Sequence, residues 1–400
     1  MPAALSAVLC AALLLMVSMG VRQSTGLFIS PINTSTGLGV VSLSFALAIG
    51  QFMWGAIQPV AGAVGDRWGP GRVLAIGLLV LAAGCALTPF VDSRFGMTVT
   101  LGVLAAAGSG AGSFSVLIGA VSRRLDSAQR GQAAGIINAG GSLGQFVFAP
   151  LAQKLITTVG WMGAMYAMAA AALAALPLAR ALRAREPHPQ HADAASDGGV
   201  RRAISDAMRD RSYLLLHAGF FTCGFHIAFL ITHLPGEVGL CGLPAEVASG
   251  ALALIGLSNI FGSLFAGWAT GRWRSKMILF WMYASRAVLV LIYLASPRTD
   301  LTFYLFAIGL GVTWLATVPP TAGVVGKLFG TRYLATLFGL TLLSHQTGGF
   351  FGAWLGGLAL EHSGNYQWMW YADAALAAAA ALVNLPIREA PVVRAAPAAA

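Results

Sequence analysis

The chain has 400 residues, of which 57% are hydrophobic and only 10% are charged, and its formal net charge is +10. A soluble domain of this length has no core large enough to bury so much apolar side chain, so the composition excludes a soluble globular protein and indicates a membrane protein. No surface with interleaved basic and aromatic residues accompanies the positive charge, which argues against a nucleic-acid partner.

Twelve apolar runs follow one another along the chain, each about 18 or more residues long, the length that crosses a roughly 30 Å hydrocarbon layer. The first six are predicted over residues 4–30, 38–64, 73–91, 97–121, 131–156 and 161–179. The last six are predicted over residues 213–235, 246–270, 277–297, 301–325, 334–358 and 367–385. The first run has no basic residue ahead of it and exceeds signal length, so we expect it to be retained.

One long polar stretch, residues 181–211, separates the two sets of six helices. It mixes Pro, His, Gln, Asp and Arg and cannot bury a core of its own. Between Val200 and Met208 apolar residues recur at helical spacing, which favours a short helix on the membrane surface; a disordered tether is the alternative. The predicted organisation is an N-terminal six-helix bundle over 1–180, a cytoplasmic linker over 181–211, a C-terminal six-helix bundle over 212–386 and a cytoplasmic tail over 387–400.

The basic residues between the runs predict the orientation. Of the 24 Lys and Arg residues, Arg22 and Arg286 lie inside helices, and the segments opposite the termini hold only Arg94, Lys154 and Arg298. The remaining 19 lie on the side of the termini, and basic segments are retained on the cytoplasmic side. We therefore expect an integral protein of the cytoplasmic (inner) membrane with both termini in the cytoplasm.

The two halves of the sequence carry matched positions at a constant offset of 204 or 205 residues. The matches pair Gly20 with Gly224, Pro31 with Pro235, Gly62 with Gly267, Arg67 with Arg272, Trp68 with Trp273, Gly135 with Gly339 and Gly144 with Gly348. A duplication of a six-helix unit is the simplest account. The fold class predicted from the sequence is thus an all-α membrane protein with twelve transmembrane helices in two pseudo-symmetric six-helix bundles.

A glycine-rich basic segment follows the second predicted helix and runs GAVGDRWGPGR from Gly62 to Arg72. It resembles the signature loop of the major facilitator superfamily, with matches at Gly62, Asp66, Arg67, Gly69 and Arg72. The resemblance implies two six-helix bundles, a central substrate site and alternating access. The segment departs from the pattern at Gly71, where the family has a basic residue. Its second copy has Gly271 in place of the aspartate, so we expect no ionic latch there.

This segment is expected to act in gating. The carboxylate of Asp66 and the guanidinium groups of Arg67 and Arg72 can pair with charges or helix ends of the neighbouring bundle in one conformation, and opening would break those contacts. The alternative is a basic loop that only sets the topology, with Asp66 in water.

Four more stretches narrow the resemblance. They are GVRQSTGLF from Gly20, CGFHIAF from Cys223 followed by THLP from Thr232, WLATVPPT from Trp314 and SHQTGG from Ser344. Together they resemble bacterial members of the monocarboxylate transporter branch, relatives of the oxalate/formate antiporters. The resemblance implies carriage of small organic anions.

Ionisable groups deep in the predicted helices are mainly basic. They are Arg22, His226, His233, Arg286 and His345, against the single deep carboxylate of Asp373. Charged groups in hydrocarbon cost at least about 2.5 to 3.5 kcal/mol each and usually face a cavity or a partner. A cavity with this excess attracts anions, and the guanidinium of Arg22 can hold a carboxylate through two parallel hydrogen bonds.

The substrate-binding residues predicted on this basis lie on helices of both halves. They are Arg22, Asn138, Ser142, Gln145, His226, Asn259, Arg286, His345 and Gln346, with Trp54, Phe229 and Trp314 as cavity-lining aromatic residues. Each has a bland alternative, because polar side chains in apolar helices often only link helices. For Arg286 that alternative is a structural ion pair with Asp373.

The sequence lacks the motifs of ATP-driven transport and of membrane enzymes. No GxxxxGK[ST] loop indicates direct use of ATP, and no cofactor or metal motif is present. A proton can accompany the anion if a histidine titrates, with His226, His233 and His345 as the candidates. The residue patterns of intramembrane catalytic sites do not occur in the sequence, so an enzyme is not indicated. No obligate protein partner is indicated either.

Two further readings stay open. Proton-driven efflux of amphipathic or drug-like compounds is the alternative transporter reading, although residues 97–121 lack the arginine of drug/proton antiporters and Ala139-Gly140-Gly141 lacks their Gly-Pro pair. A membrane sensor without transport is a minor alternative.

Overall fold

The computed structural model describes residues 2–122, 127–182, 199–330 and 334–391, and this part of the chain is helical and contains no strand. The helices of the first half are α1 (Pro2–Gln23), α2 (Ile29–Thr36), α3 (Val40–Trp68), α4 (Pro70–Leu87), α5 (Arg94–Met97), α6 (Ala106–Ala111), α7 (Phe114–Ser122), α8 (Ser127–Ala174) and α9 (Leu176–Ala181). A 3-10 turn over Thr25–Phe28 joins α1 to α2, and a π-helical segment over Thr98–Ala105 joins α5 to α6.

The second half follows after a short helix within the predicted linker. Its helices are α10 (Gly199–Ala207), α11 (Arg211–Leu240), α12 (Ala245–Thr270), α13 (Ser275–Ala295), α14 (Asp300–Thr313), α15 (Val318–Phe329), α16 (Leu334–Ser363) and α17 (Gln367–Asn384). Residues 183–198 of the predicted linker and 392–400 of the predicted tail lie outside the described residues. In α10, Ala203 and Ala207 are buried, whereas Met208 just after it is exposed.

Eight helical stretches of the described residues are long and apolar enough to cross a membrane. One of them, residues 135–181, is 47 residues long and bends at Gly160, where φ is 76°. At about 1.5 Å per residue it is long enough for two crossings. The two arms of this stretch, the other seven stretches, the interrupted segment 94–122 and helices α16 and α17 make the twelve predicted helices. The all-α membrane fold is confirmed.

Glycines at equivalent positions hold one close helix pair in each half. A Cβ added to Gly144 on α8 would lie 2.2 Å from the carbonyl oxygen of Met16 on α1, and one added to Gly348 on α16 would lie 1.9 Å from that of Phe221 on α11. Small residues let membrane helices approach until their backbones touch. The offset of 204 residues therefore corresponds to the same packing contact in two pseudo-symmetric bundles.

The two bundles meet along a seam formed by α3 against α16 and α8 against α12. We call the end of the bundles that carries both chain termini the termini side and the opposite end the far side. Contacts on the far side are tight: a Cβ on Gly26 would lie 2.0 Å from the carbonyl oxygen of Ile231, and one on Gly357 would lie 2.6 Å from the Cβ of Ser44.

Toward the termini side the equivalent helices carry more open positions. Four glycines, two from each half, have no described heavy atom within 4 Å of an added Cβ: Gly62, Gly135, Gly267 and Gly339. These are two of the pairs matched by the sequence repeat. The described far-side contacts between the bundles are thus tight, whereas these four termini-side positions have free space beside their backbones.

Glu389, in the segment after α17, links two helices at the termini side of the second bundle. Its carboxylate accepts hydrogen bonds from the backbone N–H of Lys276 at 2.6 Å and from the ammonium of Lys327 at 2.7 Å. Burial by itself raises the pKa of this carboxyl, but the two hydrogen bonds and the Lys327 charge outweigh burial and hold the pKa of Glu389 below its usual value. The segment after α17 therefore fastens the start of α13 to the end of α15.

The glycine contacts predict that a substitution of glycine by alanine lowers stability where the helices touch and does not lower it where there is open space. Gly144→Ala and Gly348→Ala each place a methyl group against a backbone oxygen, so we expect the free energy of unfolding to fall by about 1 to 3 kcal/mol, the usual cost of overpacking. The matched controls Gly62→Ala and Gly339→Ala have open space, and alanine's higher helix propensity should make them neutral or stabilising. Unfolding of purified protein in detergent measures all four. Equal destabilisation of all four variants would contradict the packing described.

Candidate functional site

The structure divides the predicted substrate-binding residues among three places. Arg22 lies in the first half beside α3, and a polar group from α8, α12 and α16 lies along the seam. His226, Arg286 and His345 are buried inside the second half. Among the described residues the predicted set therefore falls into three groups, and a substrate site shared by them stays a prediction.

Arg22 is half-buried near the end of α1 and has only neutral partners among the described residues. Its guanidinium donates a hydrogen bond to the side-chain oxygen of Gln51 on α3 and lies 4.4 Å from the ring centroid of Trp54. The ion pairs found among the described residues involve other groups. A cavity of about 30 Å³, with room for one or two waters, lies beside Arg22.

The seam carries buried amides with unmet hydrogen-bonding capacity. Asn259 on α12 donates to the hydroxyl of Ser142 on α8 at 2.9 Å, which links the two halves. One buried amide atom on each side has no hydrogen-bond partner among the described residues, the side-chain nitrogen of Gln145 and the side-chain oxygen of Gln346. The cost of such orphaned groups makes this level of the seam the place where a polar ligand gains most. Asn138 lies one turn before Ser142 and is half-buried.

A break in the tenth membrane helix shapes the second half. Pro319 and Pro320 have no N–H to donate, so α14 ends at Thr313 and α15 begins at Val318. The break frees backbone groups that must be satisfied inside the membrane. The side-chain oxygen of Asn259 accepts from the N–H of Leu315 at 2.9 Å, so Asn259 supports the break as well as the seam.

Arg286 on α13 satisfies the carbonyl groups of the same break. It is 1% exposed and donates to the carbonyl oxygens of Thr313 and Trp314, the latter at 2.7 Å. It also donates to the hydroxyl of Thr313 at 3.2 Å and to the thiol sulfur of Cys223 at 3.2 Å. The guanidinium of Arg286 is thus occupied by the carbonyls of the break, and the alternative of an ion pair between Arg286 and Asp373 is not formed in the described structure.

Asp373 on α17 pairs instead with His226 on α11. The Nδ1 atom of His226 lies 2.6 Å from Oδ2 of Asp373, and the side chains are 1% and 0% exposed. The other ring nitrogen, Nε2 of His226, and the other carboxylate oxygen, Oδ1 of Asp373, have no hydrogen-bond partner among the described residues. The pair is therefore a titratable unit that is only half satisfied.

The other two predicted histidines have different surroundings. Nε2 of His233 lies 2.7 Å from the carbonyl oxygen of Ala353, which it can bond only by donating. Nδ1 of His345 lies 3.2 Å from the side-chain amide of the adjacent Gln346. Neither imidazole contacts a carboxylate among the described residues.

The three predicted aromatic residues differ in role. Trp54 stacks against the Arg22 guanidinium, whereas Phe229 and Trp314 are each 1% exposed. The ring of Phe229 packs 4.9 Å from that of Trp370, and the ring of Trp314 lies 5.9 Å from that of His226. Phe229 and Trp314 thus pack in the core of the second bundle, and their cavity-lining role stays a prediction.

The predicted gating segment forms the tight turn between α3 and α4. Gly69 has a φ of 90°, a conformation that favours glycine, and caps the end of α3 through its N–H. Arg72 is exposed at the start of α4. The side chains of Asp66 and Arg67 lie outside the described part of the chain, so their gating role stays a prediction.

Two residues of the site were missed from the sequence. Gln51 is a polar residue at mid-depth in the second apolar run, a signal that could have identified it as the partner of Arg22. Cys223 lies in the same predicted helix as His226, and its sulfur contacts Arg286 and lies 3.3 Å from the hydroxyl of Thr317. Its position three residues before His226 on the same helix face was the available signal.

Comparison with known proteins identifies the family of the chain. The family model of the Major Facilitator Superfamily matches residues 11–353. Monocarboxylate transporter 13 of Rattus norvegicus is 27% identical over 379 residues, which cover 92% of this chain and 85% of the relative. The Oxalate:formate antiporter of Oxalobacter formigenes is 25% identical over 367 residues, covering 90% and 85%.

A bacterial relative and a solved structure extend the comparison. The uncharacterized MFS-type transporter YcxA of Bacillus subtilis (strain 168) is 23% identical over 357 residues, which cover 86% of this chain and 85% of the relative. The crystal structure of the D-xylose-proton symporter superposes with a TM-score of 0.74 at 13% sequence identity, covering 96% of this chain and 98% of that one. The structural likeness establishes the fold.

The contacts of Arg286 predict a structural cost that is independent of any substrate. Arg286→Met keeps an unbranched apolar stem but leaves the carbonyls of Thr313 and Trp314 without donors, so we expect at least about 3 kcal/mol of destabilisation, given about 1.5 to 3 kcal/mol for each hydrogen bond to a charged group. Arg272→Met is the matched control, because exposed Arg272 only lies over Trp268 at 4.3 Å. Unfolding midpoints in detergent test this, and equal midpoints for the two variants would refute it.

Proposed function

Because the chain belongs to the Major Facilitator Superfamily and is a transport protein without enzymatic activity, we propose that it carries a small organic anion, most directly a monocarboxylate. The anion crosses the cytoplasmic membrane by alternating access of its binding site to the two sides. The observation that carries the proposal is Arg22, a cation inside the membrane whose described partners are all neutral.

The surroundings of Arg22 support a carboxylate as its ligand. A cation held by an amide and an aromatic ring lacks the counter-charge that buried guanidinium groups usually have. Charge-assisted hydrogen bonds are roughly twice as strong as neutral ones, so a substrate carboxylate can displace the oxygen of Gln51 from the guanidinium. The relatives include a monocarboxylate transporter and an oxalate:formate antiporter, which fits an anionic cargo.

The position of Gln51 places this exchange next to the seam. An added Cβ on Gly349 of α16 would lie 3.4 Å from the Cβ of Gln51, so Gln51 lies between Arg22 and the opposite half. A substrate that enters along the seam meets the unpaired amide groups of Gln145 and Gln346 before it reaches Arg22. We assign these amides to the polar part of the cargo and Arg22 to its carboxylate.

Alternating access follows from the asymmetry of the seam. Closing the termini side would bring the faces with Gly62 and Gly135 toward those with Gly339 and Gly267. Small residues at these positions allow the helices to approach. The tight far-side contacts, such as Gly26 against Ile231, would open in the same movement.

Placing the termini side in the cytoplasm gives the direction of this state. The basic segments predicted on that side are the ones that membranes retain in the cytoplasm. The described conformation then opens to the cytoplasm, and the protein resides in the inner membrane of a bacterial cell.

Transport assays on Arg22 variants test the proposed cargo. We expect Arg22→Gln to lower kcat/KM for labelled acetate, lactate or oxalate by about 10- to 150-fold in proteoliposomes, which corresponds to the loss of a charge-assisted hydrogen bond of about 1.5 to 3 kcal/mol. Arg22→Lys keeps the charge but not the two parallel donors and should be intermediate. Exposed Arg272→Gln serves as control. Full activity of Arg22→Gln, or preferential movement of amphipathic dyes by the wild type, would contradict an anion carrier.

Cys241 provides a native reporter of orientation. It lies in the turn between α11 and α12 on the far side and is partly accessible, whereas Cys85 and Cys223 are buried. We expect a membrane-impermeant maleimide to label Cys241 in spheroplasts, and Cys241→Ser to abolish that labelling. A cysteine placed at Gly339 should instead be labelled only in inverted vesicles. The reverse pattern would overturn the assignment of the termini to the cytoplasm.

A further inference from the structure

A crevice between the two bundles lies at the far side of the seam, apart from the surroundings of Arg22. It has a volume of about 200 Å³. It is lined by Val41, Ser42 and Phe45 of α3, Arg94 of α5, Thr98 of the π-helical segment and Trp354 of α16. All of these except Trp354 belong to the first half, so a molecule bound in the crevice contacts both bundles at once.

Three aromatic rings form the wall of the crevice across the seam. The ring of Phe45 lies 6.1 Å from that of Phe350 and 6.0 Å from that of Trp354. The rings of Phe350 and Trp354 lie 5.7 Å apart. Because the wall combines α3 of the first half with α16 of the second, it exists only while the bundles touch at the far side.

Arg94 supplies a positive charge at the outer rim of the crevice. It is exposed at the start of α5, two residues after exposed Asp92, and the ion pairs found among the described residues involve other groups. Nearby, the exposed rings of Phe90 and Tyr166 lie 6.3 Å apart. Exposed tyrosine is typical of the boundary between membrane and water, so Arg94 lies at the level of the lipid headgroups.

The surface becomes apolar from this rim toward the middle of the membrane. Phe52 lies two turns deeper than Phe45 on α3, Phe351 lies one turn deeper than Trp354 on α16, and both are exposed. Apolar surface at this depth of a membrane protein is in contact with acyl chains. A cation at the rim, aromatic rings below it and an apolar surface beyond them follow the order of groups in a phospholipid with a negative headgroup.

We propose that this crevice is a binding site for an anionic phospholipid of the far-side leaflet. The phosphate accepts charge-assisted hydrogen bonds from the guanidinium of Arg94, and one acyl chain lies against Phe45 and Trp354. A volume of about 200 Å³ is below the roughly 300 to 1,000 Å³ of pockets that enclose drug-sized ligands. It accommodates part of one chain while the rest of the lipid stays in the bilayer.

The site couples lipid binding to closure of the far side. When the bundles separate there, Trp354 moves away from Phe45 and Arg94, so the lipid binds the closed arrangement more tightly and stabilises it. Ser44 can report this closure. It is buried beside Phe45, and its Oγ lies 2.6 Å from an added Cβ on Gly357 of the opposite bundle. The proposal makes no assumption about the transported cargo.

Lipid titration of delipidated wild-type protein in detergent tests the ligand. Dioleoylphosphatidylglycerol should raise the unfolding midpoint as mass action requires. Dioleoylglycerol has the same chains without a phosphate, and glycerol 3-phosphate has the phosphate without chains, so neither should raise it. Equal stabilisation by glycerol 3-phosphate would assign the crevice to a soluble anion and overturn the proposal. Equal stabilisation by dioleoylglycerol would overturn the role of the cation and the proposal with it.

Variants with matched controls locate the site. Arg94→Gln and Trp354→Leu should each raise the phosphatidylglycerol concentration for half-maximal stabilisation at least about tenfold, the effect of one lost charge-assisted or apolar contact. Lys154→Gln removes another exposed far-side cation, and Phe95→Leu removes an exposed ring outside the crevice. Both should keep the wild-type concentration. An unchanged concentration for Arg94→Gln, or an equal increase for Lys154→Gln, would overturn the site.

A cysteine at position 44 measures the closure itself. In Ser44→Cys we expect phosphatidylglycerol to slow modification of the introduced thiol by a maleimide at least about threefold, because the lipid lowers the population with an open far side. Native Cys241 is partly accessible, so its modification in the same sample is the internal control and should keep its rate. Peptide mass spectrometry follows both thiols. A rate at position 44 that rises with lipid or does not change would overturn the coupling.

Discussion

Hydrocarbon offers no hydrogen-bond partners, and this constraint governs the second half of the molecule. Pro319 and Pro320 break a membrane helix and leave carbonyl groups that water cannot reach. Arg286 and Asn259 supply the missing partners from neighbouring helices. Two side chains that look like ligand-binding residues are thus first of all the supports of a broken helix. The break also places Trp314 next to His226. The position of the His226–Asp373 pair therefore depends on the same contacts of Arg286 and Asn259.

The same fold uses glycine for two opposite purposes. At Gly144 and Gly348 the absence of a side chain lets two helices of one bundle touch, and these contacts hold each half together. At Gly62 and Gly339 no described heavy atom lies within 4 Å of an added Cβ, so a neighbouring helix has room to approach. The sequence repeat provides one tight and one open position in each half.

Charge is distributed unequally between the two halves. The first half carries the unpaired guanidinium of Arg22 beside the seam, and the second carries the buried group of Arg286, His226 and Asp373. The unpaired cation therefore lies beside the seam, whereas the group that contains both charges lies inside one bundle.

The sequence by itself determined the membrane class, the twelve helices, the internal repeat and the family, because hydrophobic run length and matched glycines are local properties of the chain. It also singled out Arg22, His226 and Arg286, because an ionisable side chain inside a membrane helix costs free energy unless it has a partner. It could not determine their partners: an ion pair between Asp373 and Arg286 was one of two alternatives, whereas Asp373 binds His226. Nor could it separate the seam from the interior of one half, which is why Asn259 and Phe229 were expected at a common chamber. Those assignments depend on which helix faces meet, and only the tertiary structure decides that, since distances between residues more than a hundred positions apart are set by packing and not by sequence spacing.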